Sequence, residues 1–346
     1  MNKEFFDALD AIVKEKGIPK DYMVEKVEAA LLSAFKRDNG GFPNARVKLD
    51  FDKKELRLIK QLTVVENVEN PKTEISLEDA QVKSKKYEIG DIYEEEVKTH
   101  NFGRISAQTA KQVIIQGIRE AERGMMLREY EEKKEEIVSA VVEVVDPVTG
   151  NAVVEIGKNH MTLYRNEQIP GETLNPGDRI KVFITEVKKN AKGPSVSLNR
   201  IHPGLVKRLF ELEVPEIKDG IVEIKAIARE PGSRTKIAVV SHDPNVDPIG
   251  TCIGPRGSRK NAVTQELNGE KIDLIKYSDS NEEFIAASLA PATVLSVTKL
   301  PDGDRTYRVM VSEDQLSLAI GREGQNARLA AKLTGLKIDI KAGKED

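Results

Sequence analysis

Apolar residues recur at helical spacing from the start of the chain. Phe5, Leu9 and Ile12 form one stripe, and Val24, Val27, Leu31, Ala34 and Phe35 form a second. Gly17-Ile18-Pro19 interrupts them, so residues 1–37 are predicted to form two helices. Asn39-Gly40-Gly41-Phe42-Pro43-Asn44 ends the second helix. The period then changes to two. Val47, Leu49 and Phe51 alternate with polar residues as in a half-buried strand, and residues 56–65 follow as its partner. Pro71-Lys72 opens a polar connection, and Ser76 with Asp79 makes a capping signal for a short helix. Gly90-Asp91 turns into a strand over 92–97. A long helix is predicted from 105 towards 136, with Ile105, Ala110, Val113, Ile114, Ile118, Ala121 and Met125 on one face. Its last part, 128–136, is almost wholly charged and is expected to lie in solvent between domains.

Residues 137–200 carry five short alternating runs, at 137–145, 152–156, 161–164, 179–187 and 195–198. Turn signals separate them: Asp146-Pro147, Thr149-Gly150-Asn151, Asn175-Pro176-Gly177-Asp178 and Ala191-Lys192-Gly193-Pro194. Five strands in so short a stretch predict a small β-barrel of the OB type.

The rest of the chain repeats itself. Ile253-Gly254-Pro255-Arg256-Gly257 is followed by a helical stretch and by Leu267-Asn268-Gly269-Glu270-Lys271-Ile272-Asp273. Ile320-Gly321-Arg322-Glu323-Gly324 is followed by a helical stretch and by Leu333-Thr334-Gly335-Leu336-Lys337-Ile338-Asp339. The first glycines lie 321 − 254 = 67 residues apart and the trailing aspartates 339 − 273 = 66 apart. The flanks agree. Each copy opens with a helical segment, at 203–212 and 282–290, and continues with two strands around a turn. Those turns are Glu230-Pro231-Gly232-Ser233 and Pro301-Asp302-Gly303-Asp304. The order in both copies is helix, two strands, helix, Gly-x-x-Gly, helix, strand.

Gly-x-x-Gly between two helices has a specific physical use. Without Cβ atoms the glycines let the chain turn tightly and let a phosphate backbone come close. The next helix points its N-terminal N–H groups at the same space, where anions are favoured. KH modules clamp about four nucleotides in this way. The candidate RNA contacts are Gly254, Pro255, Arg256, Gly257, Ser258, Arg259 and Lys260 in the first copy. In the second they are Gly321, Arg322, Glu323, Gly324, Gln325, Asn326 and Arg328. The first loop has no acid between Ile249 and Thr264, whereas the second contains Glu323, so the first is expected to show the steeper salt dependence.

Composition narrows the reading. The chain is 39% hydrophobic and 32% charged, which fits folded domains. A net charge of −3 means that local clusters, not bulk charge, must make any nucleic-acid site. Trp is absent and aromatics are 5%, so stacking platforms for bases are few. Aromatic rings in the barrel region reduce to His160, Tyr164 and Phe183, and the barrel is expected mainly to orient its neighbours. No run is apolar enough to span a membrane, and the N-terminus lacks an apolar signal core, so a cytoplasmic protein is expected. The lone Cys252 is expected to be packed rather than reactive. The four histidines show no ligand spacing and no Walker motif occurs, so no metal, no cofactor and no catalytic residue are predicted. Glu94-Glu95-Glu96 and the acids of 131–136 read as solvated faces.

An N-terminal module, a small barrel and two KH modules in this order resemble the NusA family of bacterial transcription factors. The likeness rests on the run from Phe102-Gly103-Arg104 to Val113-Ile114, on Asp247-Pro248-Ile249-Gly250-Thr251-Cys252-Ile253-Gly254, and on the run from Ala319-Ile320-Gly321 to Leu329-Ala330. Pro176-Gly177-Asp178-Arg179 and Glu230-Pro231-Gly232-Ser233-Arg234 add to it. The resemblance implies a multidomain α+β protein. It would comprise an N-terminal α/β domain with a long linking helix (1–132), an OB-type S1 barrel (133–200) and two tandem type II KH domains (201–276 and 277–346). It also implies that the first domain meets RNA polymerase near the RNA exit channel and that the S1–KH–KH surface holds emerging single-stranded RNA. Such factors lengthen pauses, favour hairpin-dependent termination and, with other antitermination factors, support antitermination. On this likeness Lys36, Arg37, Arg104 and Lys111 would face polymerase or the exiting hairpin. With the last residue at Asp346, the acidic C-terminal repeats of some members are not expected, and a monomer is. The rival readings are an RNA-decay cap that combines S1 and KH elements, and an RNA chaperone without polymerase contact. Decay proteins usually carry one KH module, and a chaperone leaves residues 1–130 without a use.

Overall fold

The computed structural model describes residues 3–39, 43–51, 53–97, 102–190, 193–301 and 305–343. The chain folds as two units, residues 1–128 and 129–346. In the first, α1 (Lys3–Lys16) and α2 (Lys20–Asn39) are separated where Ile18 N–H bonds the Val13 carbonyl at 3.1 Å. The apolar stripes on both helices bury Leu9, Val13, Met23, Val27, Leu31 and Phe35. They meet β1 (Ala45–Asp50), whose alternation turns Ala45, Val47 and Leu49 inward. The long β2 (Glu55–Val65) pairs antiparallel with β1, parallel with β3 (Glu74–Ser76) and antiparallel with β4 (Ile92–Glu96). The capping signal holds: Ser76 Oγ accepts from Asp79 N–H at 3.1 Å and starts α3 (Leu77–Lys83). The helix α4 (Phe102–Glu132) adds Ile114 to this core.

The second unit opens at the end of α4, which stops at Glu132, short of the expected 136. The charged side chains of 128–136 are exposed or partly so, as a solvated face requires, but one residue among them is not. Tyr130 is buried, donates its hydroxyl to the Ile156 carbonyl at 3.4 Å and accepts from Asn159 Nδ2 at 3.1 Å. Beyond it, Glu135 N–H bonds Ile184 O, and Ile184 N–H bonds Glu136 O. One amphipathic ring among charges is enough to dock the segment, because tyrosine buries its body and keeps a polar tip to satisfy.

The barrel strands are β5 (Ile137–Val145), β6 (Ala152–Ile156), β7 (Asn159–Leu163), β8 (Arg179–Asn190) and β9 (Gly193–Asn199). Their order is β7-β6-β5-β8-β9. Register shifts at Val142/Val144 and Ile184/Glu186 bend the long strands, and β7 approaches β9, so the sheet is nearly closed. Of the three rings noted in sequence, Phe183 is buried and stacks on His202 with centroids 4.9 Å apart, while Tyr164 and His160 are exposed.

Both repeats then fold alike. The first has α5 (Pro203–Glu213), the short α6 (Pro215–Lys218), β10 (Val222–Glu230), β11 (Arg234–Ser241), α7 (Pro248–Ile253), α8 (Ser258–Glu266) and β12 (Lys271–Lys276). The second has α9 (Asn281–Ser288), β13 (Ser296–Lys299), β14 (Thr306–Val311), α10 (Glu313–Ile320), α11 (Gln325–Thr334) and β15 (Lys337–Ala342). In each, the middle strand pairs antiparallel with the strand before it and parallel with the last. This is the type II KH topology. The short α6 is an addition to the helix–strand–strand order read from the sequence; Pro215 restarts the chain after α5.

The barrel and the two KH folds share interfaces within this unit. Barrel residues Ile169 and Phe183 enter the first KH core beside Leu205, Leu209 and Phe210 of α5. Arg200, at the end of the barrel, is buried against Glu172 (2.9 Å) and Glu266 of α8 (2.8 Å). The wholly buried Arg229–Glu270 pair (3.0 Å) also ties in the His202 carbonyl, 3.0 Å from Arg229 Nη1. Glu270 further accepts from Gly232 N–H at 2.9 Å. Gly232 has φ +73°, and a Cβ there would come within 2.5 Å of the Pro170 carbonyl, so only glycine fits this approach of hairpin to barrel.

The middle strand β11 is buried on both faces. Ile237 and Val239 face the first module's own helices, whereas Ala238 joins Ala228 and Ile275 under Leu329 and Leu333 of α11. That explains a continuous apolar run where a one-sided sheet would alternate. Lys236, on the covered side, places its ammonium 2.7 Å from the Ala290 carbonyl and 3.2 Å from Asp273. Burial pulls its pKa down, against the pull of Asp273. In the second module Tyr307, Val309 and Val311 are buried and Arg308 is exposed, pairing with Asp339 at 3.4 Å. Its outer face is thus polar.

Candidate nucleic-acid interface

The two Gly-x-x-Gly loops have the same backbone. Gly254 (φ 72°, ψ 174°) matches Gly321 (75°, 172°), and Gly257 (79°, 11°) matches Gly324 (74°, 14°). Between them Arg256 (52°, 27°) matches Glu323 (53°, 26°), both in the left-handed region that costs a side-chain-bearing residue about 1–3 kcal/mol. A Cβ on Gly254 would lie 2.7 Å from Arg259 Cγ, and one on Gly321 would lie 2.8 Å from Asn326 Cβ. The first glycine of each loop is therefore required twice, by conformation and by space.

Five residues beyond that glycine, each copy reaches back to the carbonyl three residues before it. Arg259 Nη1 donates to Thr251 O at 2.8 Å, and Asn326 Nδ2 donates to Leu318 O at 3.2 Å. Arg259 is also paired with Glu216 of α6 at 2.9 Å. Asn326 is fully buried and donates further to the carbonyls of Leu289 (2.8 Å) and Ala319 (3.2 Å). Both side chains brace the loop from behind.

The remaining candidates divide in two. Pro255, Arg256, Ser258, Arg322 and Glu323 are exposed and Lys260 is partly so. Arg256 and Lys260 form no ion pair among the described residues, while Arg322 lies 3.8 Å from Glu323. Gln325 and Arg328 instead reach the first module: Gln325 Nε2 bonds Glu230 at 2.9 Å and Ser233 at 2.7 Å, and Arg328 Nε bonds Glu230 at 2.8 Å. The Glu230 carboxyl is held below the usual carboxylate range, first by the Arg328 hydrogen bonds and against its partial burial. Nothing in the local pattern around Glu230 signalled this role, because its partner lies 98 residues away.

Lys36 and Lys111 in the first unit are exposed. The side chains of Arg37 and Arg104 lie outside the described ones. Among the described residues no group of three or more His, Cys, Asp or Glu could hold a metal, and no helix is long and apolar enough to cross a membrane. Cys252 is buried under the first loop, and burial pushes its thiol up to about 12. It is expected to resist a thiol reagent at pH 8 in the native chain and to react in denaturant, as a colorimetric thiol assay would read.

Family descriptions match this architecture in order. The NusA N-terminal domain matches residues 4–124, the S1 RNA binding domain 131–199, the NusA-like first KH domain 200–277 and the NusA-like second KH domain 281–346. The transcription termination/antitermination protein NusA of Bacillus subtilis (strain 168) is 49% identical over 342 residues, covering 99% of this chain and 91% of that protein. The chain belongs to the NusA family. Two more NusA proteins of the same description extend the likeness. That of Halalkalibacterium halodurans is 47% identical over 345 residues, 100% of this chain and 90% of the relative. That of Thermus thermophilus is 43% identical over 348 residues, 98% of this chain and 89% of the relative. As a NusA-family chain it combines an N-terminal α/β domain, an S1 barrel and two tandem type II KH domains.

Proposed function

We propose that the chain is a cytoplasmic, non-catalytic RNA-binding factor that acts on bacterial RNA polymerase in pausing, hairpin-dependent termination and antitermination. The observation that carries this reading is the pair of superposable Gly-x-x-Gly loops, each braced from behind and open in front. Each loop offers glycines for close approach of a phosphate backbone and a helix N-terminus behind them. Residues 1–132 form the polymerase-binding domain, with Lys36, Arg37, Arg104 and Lys111 as candidate contacts. The S1 barrel (133–200) orients the KH modules at 201–276 and 277–346. Tethering to polymerase raises the effective RNA concentration at the loops, so neither attachment need be tight alone. The relatives are termination/antitermination proteins, a role that fits both attachments, and other antitermination factors are the further partners this reading expects of a monomer.

The test is a reconstituted transcription reaction with bacterial RNA polymerase on a template bearing a hairpin terminator. Adding the chain is expected to lengthen the pause at the hairpin and raise the terminated fraction. Both effects should fall in Pro255→Asp/Arg256→Asp and, separately, in Lys36→Glu/Lys111→Glu. Unchanged pausing and termination on adding the parent chain would refute the proposal.

A further inference from the structure

One carboxylate of the first KH fold ends on the second loop. Glu230, the last residue of β10, receives Arg328 Nε at 2.8 Å and Nη2 at 3.3 Å, a two-pronged guanidinium–carboxylate contact. Arg328 spends its remaining edge on the Glu323 carbonyl, 2.9 Å from Nη1, inside the Gly-x-x-Gly loop. It stands four residues past Gly324, close enough that a Cβ on that glycine would lie 3.7 Å from Nη1. The side chain is nonetheless 48% exposed, so a phosphate seated at the loop could reach it. Without Glu230, this would be the natural second cation of the site.

We propose that Glu230 sets the RNA affinity of the second KH loop by holding Arg328 as an interdomain strut instead of a phosphate ligand. The charges facing the second loop then cancel: Arg322 against Glu323, and Arg328 against Glu230. At the first loop Arg256 and Lys260 stay uncancelled among the described residues, because only Arg259 is spoken for, by Glu216. Identical backbones thus carry different electrostatics. The first loop grips the phosphate chain; the second positions it with backbone groups and releases it readily. A phosphate that takes Arg328 must displace a bidentate carboxylate, so the gain in affinity from that cation is small while Glu230 is present. The inference rests on the RNA-binding reading above.

The experiment is a double-mutant cycle on the full chain, titrated against a fluorescein-labelled single-stranded RNA of about 12 nucleotides, enough for two clamps of roughly four. Glu230→Gln keeps an oxygen that can accept from Arg328 and removes the charge. It is expected to tighten binding about three- to tenfold near 50 mM salt and to steepen the log–log salt slope by about 0.7, one more phosphate contact. In the Arg328→Gln background the same change should alter Kd by less than about twofold, since no masked cation remains to be freed. Unchanged or weaker binding by Glu230→Gln overturns the proposal. So does an equal gain in the Arg328→Gln background, which would mean that any acid near the RNA acts through its general field. A parent that binds RNA while the cycle stays flat overturns only this inference, whereas a parent that binds none overturns the RNA-binding reading as well.

Discussion

Pro255→Asp/Arg256→Asp is expected to weaken single-stranded RNA binding by about tenfold to a hundredfold and to flatten its salt dependence. The substitution turns an exposed cation and a neutral ring into two carboxylates at the place where a phosphate would sit. Both side chains are exposed, and Arg256 forms no ion pair among the described residues, so little native structure is lost. Aspartate also tolerates the left-handed conformation at position 256 better than most residues. The matching change, Arg322→Asp/Glu323→Asp, replaces an acid by an acid and turns a cation already beside Glu323 into a second acid, so it adds less negative charge than the change at the first loop. Its effect should be several times smaller. Fluorescence anisotropy of a labelled single-stranded RNA at two salt concentrations reads both variants. Equal losses at the two loops would contradict the electrostatic difference between them.

The second large effect concerns stability. Glu270→Ala should destabilise the chain by about 3–5 kcal/mol, because the Arg229 guanidinium is left buried without its counter-charge. The carboxylate also accepts from Gly232 N–H and from the Thr235 hydroxyl, so those donors lose a partner too. Replacing both members, Arg229→Met with Glu270→Leu, should cost much less than Glu270→Ala alone, since no unpaired ion remains. Chemical denaturation followed by far-ultraviolet circular dichroism compares the midpoints. A double variant as unstable as the single one would show that the hydrogen bonds to Gly232 and Thr235, not the charge, carry the effect.

What the sequence made legible follows from what is local. The capping pair Ser76/Asp79, the alternating barrel strands and the duplicated Gly-x-x-Gly frame are all written within a few residues of the chain. Contacts between distant segments left no such mark. Tyr130 sits in a charged run that reads as solvent, yet the barrel edge buries it. Arg259 and Asn326 look like exposed loop residues, because neighbours such as Arg256 and Arg322 are exposed. Only three dimensions show that they turn back to Thr251 and Leu318. Phe183 looks available for stacking on a base, and it is, but on His202 of the same chain. Glu230 lies in a turn motif that explains it fully at the local level, so its link to Arg328 was invisible.

The position of α11 has a consequence for how such a chain could be shortened. Its first turn completes the second loop, while Leu329 and Leu333 on its flank roof the sheet of the preceding module. Cutting the gene after Lys276 would therefore not yield a tidy single-KH protein. It would bare Ala228, Ala238 and Ile275 to water and strand the Lys236 ammonium, which relies on Ala290 for one of its bonds. A lineage that dropped the last module would have to repaint an entire sheet face with polar residues, as β14 and β15 already do with Arg308 and Asp339. The helix of the second module and the sheet face of the first are thus one packed unit, and a change to either must be matched in the other.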